Sequence, residues 1–308
     1  MKSPVVLVVC LALAAPLVAQ QAPARPPLVR ENATIEVGSH TYVIPDDGVG
    51  QVPNVGIVVG DRAALVIDPG LGRRNGETVL REVAKLSEGT DIYLASTHFH
   101  VEHTTGLVGF PETARYVNST VQEEDYEQGA AGQASRFSER SPVHAELLRD
   151  MTRRPADITF DREYSLDLGG VHVRFLVLGP THTRGDTAFF VEEDQVLFAG
   201  DLVMHNSFVA ANQNSSMAAW LAAFDVLERL GPRVIVPAHG PIGDGALIGV
   251  NRAFMQAIDA RVRQLKAQNQ TVDAIATTVQ KEMQTKHPDF ARANGVAGAA
   301  RAAYAAAP

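Results

Sequence analysis

Cysteine is almost missing from this chain. Among 308 residues there is one, Cys10, and it lies in an apolar N-terminal stretch that reads as a removable signal. The rest of the chain would then hold no disulfide and no thiolate, so any metal would have to be bound by imidazole and carboxylate. Positive charge is also short. Lys and Arg total 27 against 35 Asp and Glu, a formal net charge of −8, which argues against nucleic acid as a partner because phosphate binding wants a basic face. A G-x-S-x-G nucleophile elbow, a G-x-G-x-x-G loop and a Walker-type loop are all absent, so no serine or cysteine nucleophile and no phosphate cradle is advertised. Tryptophan occurs once, at Trp220, on the apolar face of a helical pattern where a core role is expected.

The one long apolar run is at the start. "MKSPVVLVVCLALAAPLVAQQA" has Lys2, an apolar stretch from Val5 to Val18 and then small and polar residues, the layout of a secretory signal rather than of a membrane span. Cleavage after Ala19 is expected, with residues 20–31, including the proline-rich "QQAPARPP", as a flexible leader. "LVVC" distantly resembles a lipoprotein signal, but Val9 is too bulky for the small residue usual before such a cysteine. The expectation is an exported protein, periplasmic in a Gram-negative bacterium, with no stable membrane insertion once the signal is gone.

With 45% hydrophobic and 20% charged residues, the remainder reads as an ordinary globular chain. From Asn32 to Ile67 short Val/Ile/Leu-rich runs alternate with Gly, Asp and Pro, the pattern of strands buried on both faces. "NGETVLREVAKLSE" is spaced as a helix and "DIYLAST" returns to a strand,. A looser middle, Ser119 to Arg154, has helical patches, and its "GAAGQAS" would suit the hinge of a lid,. Strands resume through "VHVRFLVLG", "DTAFFVEE" and "QVLFAGD", followed by the amphipathic "MAAWLAAFDVLERLG" and a helical stretch from Ala246 to Met283,. Two blocks of strands followed by helices, with no linker, predict one α/β domain over 32–285 built as two halves, sheets face to face and helices outside. Residues 286–308, rich in alanine, are expected to be a frayed helix or disordered tail.

Histidine is where the sequence concentrates its chemistry. "STHFHVEHTTG" holds His98, His100 and His103 with Glu102 in six positions. His182 and His239 each follow an apolar strand-like run, in "VRFLVLGPTHTRGD" and "PRVIVPAHG", and Asp201 does the same in "QVLFAGDLV". Loops at the ends of buried strands are where sites converge, and imidazole with carboxylate suits zinc. In an extended segment alternate residues face one way, so His98 and His100 could share an ion. Glu102 and His103, past the strand end, could address another. Seven donors are too many for one tetrahedral ion and suit two.

The "HFHVEH" segment resembles the HxHxDH signature of the metallo-β-lactamase superfamily, and "LVIDPG", "GPTHTRGD", "LFAGD" and "VPAHG" match that family's later motifs in order, over roughly Asn32 to Gly245. The resemblance implies a four-layer αβ/βα sandwich with a site for two Zn2+ ions at one edge. It implies that His98, His100 and His182 hold one ion, that Glu102, His103 and His239 hold the other, and that Asp201 bridges them. It also implies that Asp68 supports the ligand histidines from behind, although a plain Asp-Pro-Gly turn is the alternative for Asp68. Position 102 departs from the family, where Asp is usual. Glu adds a methylene, which leaves open a displaced second ion, a weak second site or a one-metal enzyme.

The expected chemistry is a zinc-dependent hydrolysis of a small-molecule substrate. A metal lowers the pKa of its water from about 15.7 to about 7, and the resulting hydroxide attacks an acyl carbonyl of an ester, thioester or lactone. Glu102 or Asp201 would pass the proton to the leaving group. Asp at position 201 resembles the glyoxalase-II-like and lactonase-like members, whereas metallo-β-lactamases proper usually carry Cys or Ser there. β-Lactam hydrolysis, in keeping with export, is the alternative, and a mononuclear iron persulfide dioxygenase-like activity is a second. His205, four residues past Asp201, is a candidate for lining the pocket, while His40, His144, His172 and His287 have no ligand pattern. Substrate identity and oligomeric state carry no readable code.

Overall fold

A strand with apolar residues on both faces needs cover on both sides, and the fold meets that demand twice. The structure, a computed structural model, describes residues 25–212 and 215–307, so the proposed signal and its cleavage point lie outside the described residues. The first sheet has seven strands in sequential order: β1 (Ile35–Glu36), β2 (Thr41–Ile44), β3 (Val55–Val59), β4 (Ala63–Ile67), β5 (Asp91–Ala95), β6 (Arg115–Ser119) and β7 (Ile158–Phe160). The second has five, β8 (Glu163–Asp167), β9 (His172–Val177), β10 (Thr187–Val191), β11 (Val196–Gly200) and β12 (Val234–Pro237). Each sheet changes from antiparallel to parallel pairing near its middle or edge, at β4–β5 in the first and β11–β12 in the second.

Period-two alternation sorts the side chains into layers. In β4, Ala63, Leu65 and Ile67 point into the space between the sheets, while Ala64 and Val66 face outward. In β11, Val196 and Phe198 point inward and Leu197 and Ala199 outward. The inter-sheet core joins Val58, Leu65 and Val117 of one sheet to Phe175, Phe189 and Phe198 of the other. Outside the first sheet lies α1 (Gly72–Leu86), which contributes Val79 and Val83. Outside the second lie α5 (Met217–Leu230), α6 (Ala246–Ala267), α7 (Val272–Lys286) and α8 (Asn294–Ala306). The result is a helix–sheet–sheet–helix sandwich, with fully buried Trp220 in the outer apolar layer, its indole N–H donating to Leu202 O at 3.1 Å.

Three expectations need correction. The middle segment contains no hinge: Thr120–Ser138 is one continuous helix, α3, followed by α4 (Pro142–Leu148), and both are capped by serines, Ser119 and Ser141. Gly129 sits inside α3 because Phe99 packs where its Cβ would be. The alanine-rich tail is neither frayed nor disordered: α8 buries Val296, Ala299, Ala300 and Ala303 against α5, α6 and α7. Small residues let helices approach closely, and a Cβ on Gly295 or Gly298 would strike the backbone of Val209 or Ala211. Low complexity here reflects tight packing, so the folded unit runs past residue 285. The described end of the leader, residues 25–31, is docked as well: Val29 N–H donates to Asn75 Oδ1 at 2.8 Å, and Asn75 Nδ2 donates to Pro27 O at 2.9 Å.

Candidate metal centre

The chemistry-bearing residues all sit on short connections at one edge of the sandwich. His98 and His100 follow β5, Glu102 and His103 lie in the one-turn helix α2 (Val101–Thr104), His182 lies between β9 and β10, Asp201 directly follows β11 and His239 comes just past the end of β12. The segment carrying His98 and His100 is not a strand, so their convergence comes from a turn rather than from alternation. Close approach of glycine backbones fixes this turn from outside: α1 packs against the 3-10 turn Thr105–Gly109, with Gly76 facing Gly106 where no side chain would fit.

Two groups of donors result. His98, His100 and His182 each place a ligand atom within 4.8 Å of the others, and Glu102, His103 and His239 do the same. The groups adjoin, with the His98 and His103 ring centroids 4.1 Å apart. Asp201 lies against the first group, its Oδ2 3.5 Å from His182 Nε2, and its charge acts on Glu102 and His239 of the second. His205 is not among these donors. It bonds Pro241 O through Nδ1 at 3.1 Å and lines a cavity of about 320 Å3 beside His239. A larger groove of about 870 Å3 is lined by His100 and His182 together with Phe99, Val121 and Pro180.

The outer nitrogens of these rings decide which way the inner ones face. His182 Nδ1 donates to Ala210 O, and His239 Nδ1 donates to Val52 O at 2.9 Å. Thr97 Oγ1 donates to Asp68 Oδ2 at 2.8 Å, so it accepts from His98 Nδ1 at 3.1 Å. His103 Nδ1 lies 3.0 Å from Asp68 Oδ2, an off-line contact that is electrostatic more than a straight hydrogen bond. A carbonyl or carboxylate behind an imidazole fixes its tautomer with the proton outward and the lone pair inward. Four rings are therefore oriented to present lone pairs to the site.

Inside the site, hydrogen bonding cannot satisfy what is there. His100 Nδ1 faces His98 Nε2 at 3.0 Å and His182 Nε2 at 3.2 Å, and one ring nitrogen has one proton or one lone pair to answer two others. Glu102 Oε2, His103 Nε2 and Asp201 Oδ1 are buried with no protein partner among the described residues. Orphaned buried polar atoms are rare and costly, and a set of inward lone pairs with two carboxylates is what a cation resolves. The donors therefore fit metal ions, and Glu102 reaches the second group despite its extra methylene.

Electrostatics agrees. Burial, then the neighbouring histidines, holds His98 and His100 well below the ordinary imidazole range, and burial takes His239 down to about 3. Burial also opposes charge on His103, but the Asp68 carboxylate outweighs it and raises that ring. Burial pushes Glu102 up. Asp201 is desolvated too, yet Arg292 and the histidines hold it well below the carboxylate range.

Asp68 is the support that the sequence itself points to; Asp186, Asp46, Asn54 and Arg292 are not legible there. Asp68 accepts from Thr97 N at 2.7 Å and takes a positive φ of 57° at the turn, so it is both a turn residue and a support. Asp186 accepts from Thr183 N and Oγ1 and from Thr181 Oγ1, clamping the loop that carries His182. Asp46 Oδ2 accepts from Gly240 N at 2.7 Å, and Asn54 Nδ2 donates to Pro237 O and Gly240 O, tying down the loop of His239. Arg292, in the tail, donates to Asp201 Oδ2 at 2.7 Å; nothing in its alanine-rich context signals this.

Fold and site together define an αβ/βα sandwich with two adjoining cation-binding groups at one edge. The chain belongs to the metallo-beta-lactamase superfamily, whose family model matches residues 48–239. It is similar to an acyl-coenzyme A thioesterase of Gallus gallus, 26% identical over 68% of this chain and 78% of the relative. It is also similar to an atrochrysone carboxyl ACP thioesterase of Aspergillus terreus, 22% identical over 62% of this chain, which spans about half (50%) of that relative's length. Among solved structures, a metallo-beta-lactamase family protein from Thermus thermophilus shares the fold with a TM-score of 0.59 and 22% identity, covering 86% of this chain and 92% of that one.

Proposed function

We propose that this protein is an exported, zinc-dependent acyl hydrolase that cleaves a thioester, ester or lactone. The observation that carries the metal reading is the set of five imidazoles converging with Glu102 and Asp201, four of them turned lone-pair inward by oxygens behind them. His98, His100 and His182 would hold one ion and Glu102, His103 and His239 a second, with Asp201 shared. Two names among its relatives, both thioesterases, favour a thioester within the acyl class. Export is supported by Lys2 and the apolar run that follows it, and the periplasm is the compartment proposed.

When bound, such ions acidify water to a nucleophile at neutral pH and polarise a carbonyl. The chain's own residues supply the rest. His100 and His182 line the large groove together with Phe99, Val121 and Pro180, so an acyl group lying along those apolar residues would bring its carbonyl to the centre. Glu102 Oε2 and Asp201 Oδ1, both buried without a protein partner among the described residues, would be the carboxylate oxygens through which a proton passes to the leaving group.

The test is metal analysis of purified protein, followed by hydrolysis assays with thioester, lactone and β-lactam substrates in zinc-loaded protein. About two zinc per chain, with thioester or lactone turnover abolished by His100→Ala, is expected. One iron with oxygen consumption on a persulfide would overturn the hydrolase reading, and turnover of β-lactams alone would move it to a different acyl bond.

A further inference from the structure

One carboxylate oxygen of Asp201 already has a cation on it. Asp201 Oδ2 lies 3.5 Å from His182 Nε2 and accepts a hydrogen bond from Arg292 Nη1 at 2.7 Å, the one side-chain hydrogen bond of Arg292 among the described residues. The guanidinium also sits in the field of Glu102 and Asp46 and, with His239, lines the cavity of about 320 Å3. It is therefore on the side of the second group. We infer that Arg292 is a resident cation of the metal centre that competes with the second ion for Asp201 and so weakens that ion's binding.

The placement is built into the fold. The backbone before Arg292 is stitched to the chain beyond Asp201 by Phe208 N–H donating to Ala291 O at 3.1 Å and by a parallel bridge between Ser207 and Ala291. Arg292 takes a left-handed φ of 59°, and Gly295 N–H donates to its carbonyl at 2.9 Å as α8 begins. A non-glycine residue held at positive φ is over-determined by its surroundings. The side chain is not locked in the same way: it is 31% exposed, with the cavity beside it. An ion that takes both oxygens of Asp201 must displace the guanidinium from Oδ2, and until it does the two cations repel across a short distance. The residue comes from beyond the segment matched by the family model, which ends at 239.

This inference rests on the metal reading, and stepwise zinc affinities separate the two. Metal-stripped protein is titrated with zinc against a competing chelator, and two binding steps are resolved. Wild type should take up two ions of unequal affinity. Arg292→Gln should bind the second at least about tenfold more tightly with the first unchanged, while Arg292→Lys, which keeps the charge, should stay near wild type. An unchanged second affinity in Arg292→Gln removes the inference and leaves the metal reading standing. Weaker binding of both ions in both variants would make Arg292 a structural anchor and overturn it as well. A wild type that takes up no zinc would overturn the metal reading and this inference together.

Discussion

Glu102 carries its carboxylate one methylene further from the backbone than an aspartate would, and it still reaches His103 and His239. It does so from the first turn of α2, whose short length lets the chain turn immediately after His100. Replacing Glu102 with Ala is expected to reduce zinc content from two ions to one, whereas Glu102→Asp should keep both or bind the second more tightly. Metal analysis decides this, and unchanged content in the alanine variant would remove Glu102 from the ligands. Asp68 acts one step further back, through Thr97 and His103. Asp68→Ala would free the His98 ring, held through Thr97, and the His103 ring to turn, and should weaken zinc binding by roughly 10- to 100-fold,. Chelator competition reads the loss, and an affinity equal to wild type would reduce Asp68 to a turn residue.

At the scale of elements, α8 shows how composition misleads. Its alanines and glycines carry almost no apolar area each, which reads as low complexity, yet the alanines pack against α5, α6 and α7 and the glycines sit on the backbone of Val209 and Ala211. Ala300 is fully buried whereas Ala305 is exposed. Ala300→Asp would bury an unpaired charge and should cost about 3 kcal/mol or more. Ala305→Asp should stay within about 0.5 kcal/mol of wild type. Urea midpoints of the two variants test the packing directly; equal midpoints would mean that the helix is not docked. The motif segments behave in the opposite way. His98, His100 and His103 were legible because their spacing is short, and the strand runs before His182, Asp201 and His239 announced where those side chains emerge. Asp46, Asn54 and Asp186, which clamp the loops, are single polar residues whose partners lie on distant segments, so no local pattern marks them.

At the scale of the whole molecule, the centre is a charge problem that metal solves. In metal-free protein His98, His100 and His239 are held neutral by burial, with pKa values below the ordinary 6.5. The unfolded chain then takes up protons before the folded one does as pH falls through about 6.5, so stability drops with acidification. His103 has a raised pKa and acts in the opposite sense, adding stability in acid that is lost as pH rises through its folded value. Glu102, raised by burial, acts in the same sense as His103, and the three depressed histidines outnumber these two. Chelator-treated protein should unfold at lower urea at about pH 5 than at about pH 7.5. A flat or rising midpoint over that interval would show that the rings are not buried neutral.

What the sequence determined by itself was the layered α/β class, and it nominated seven candidate donors, because strand patterning and short motif spacing are local properties of the chain. What only the tertiary structure decided was orientation and supply. Which nitrogen of each ring faces inward depends on oxygens from Thr97, Ala210, Val52 and Asp68, and the cation on Asp201 arrives from residue 292. Contacts between residues so far apart in the chain leave no periodic or neighbouring signal, since their partners are chosen by the packing of the sheets and helices and not by the sequence around them.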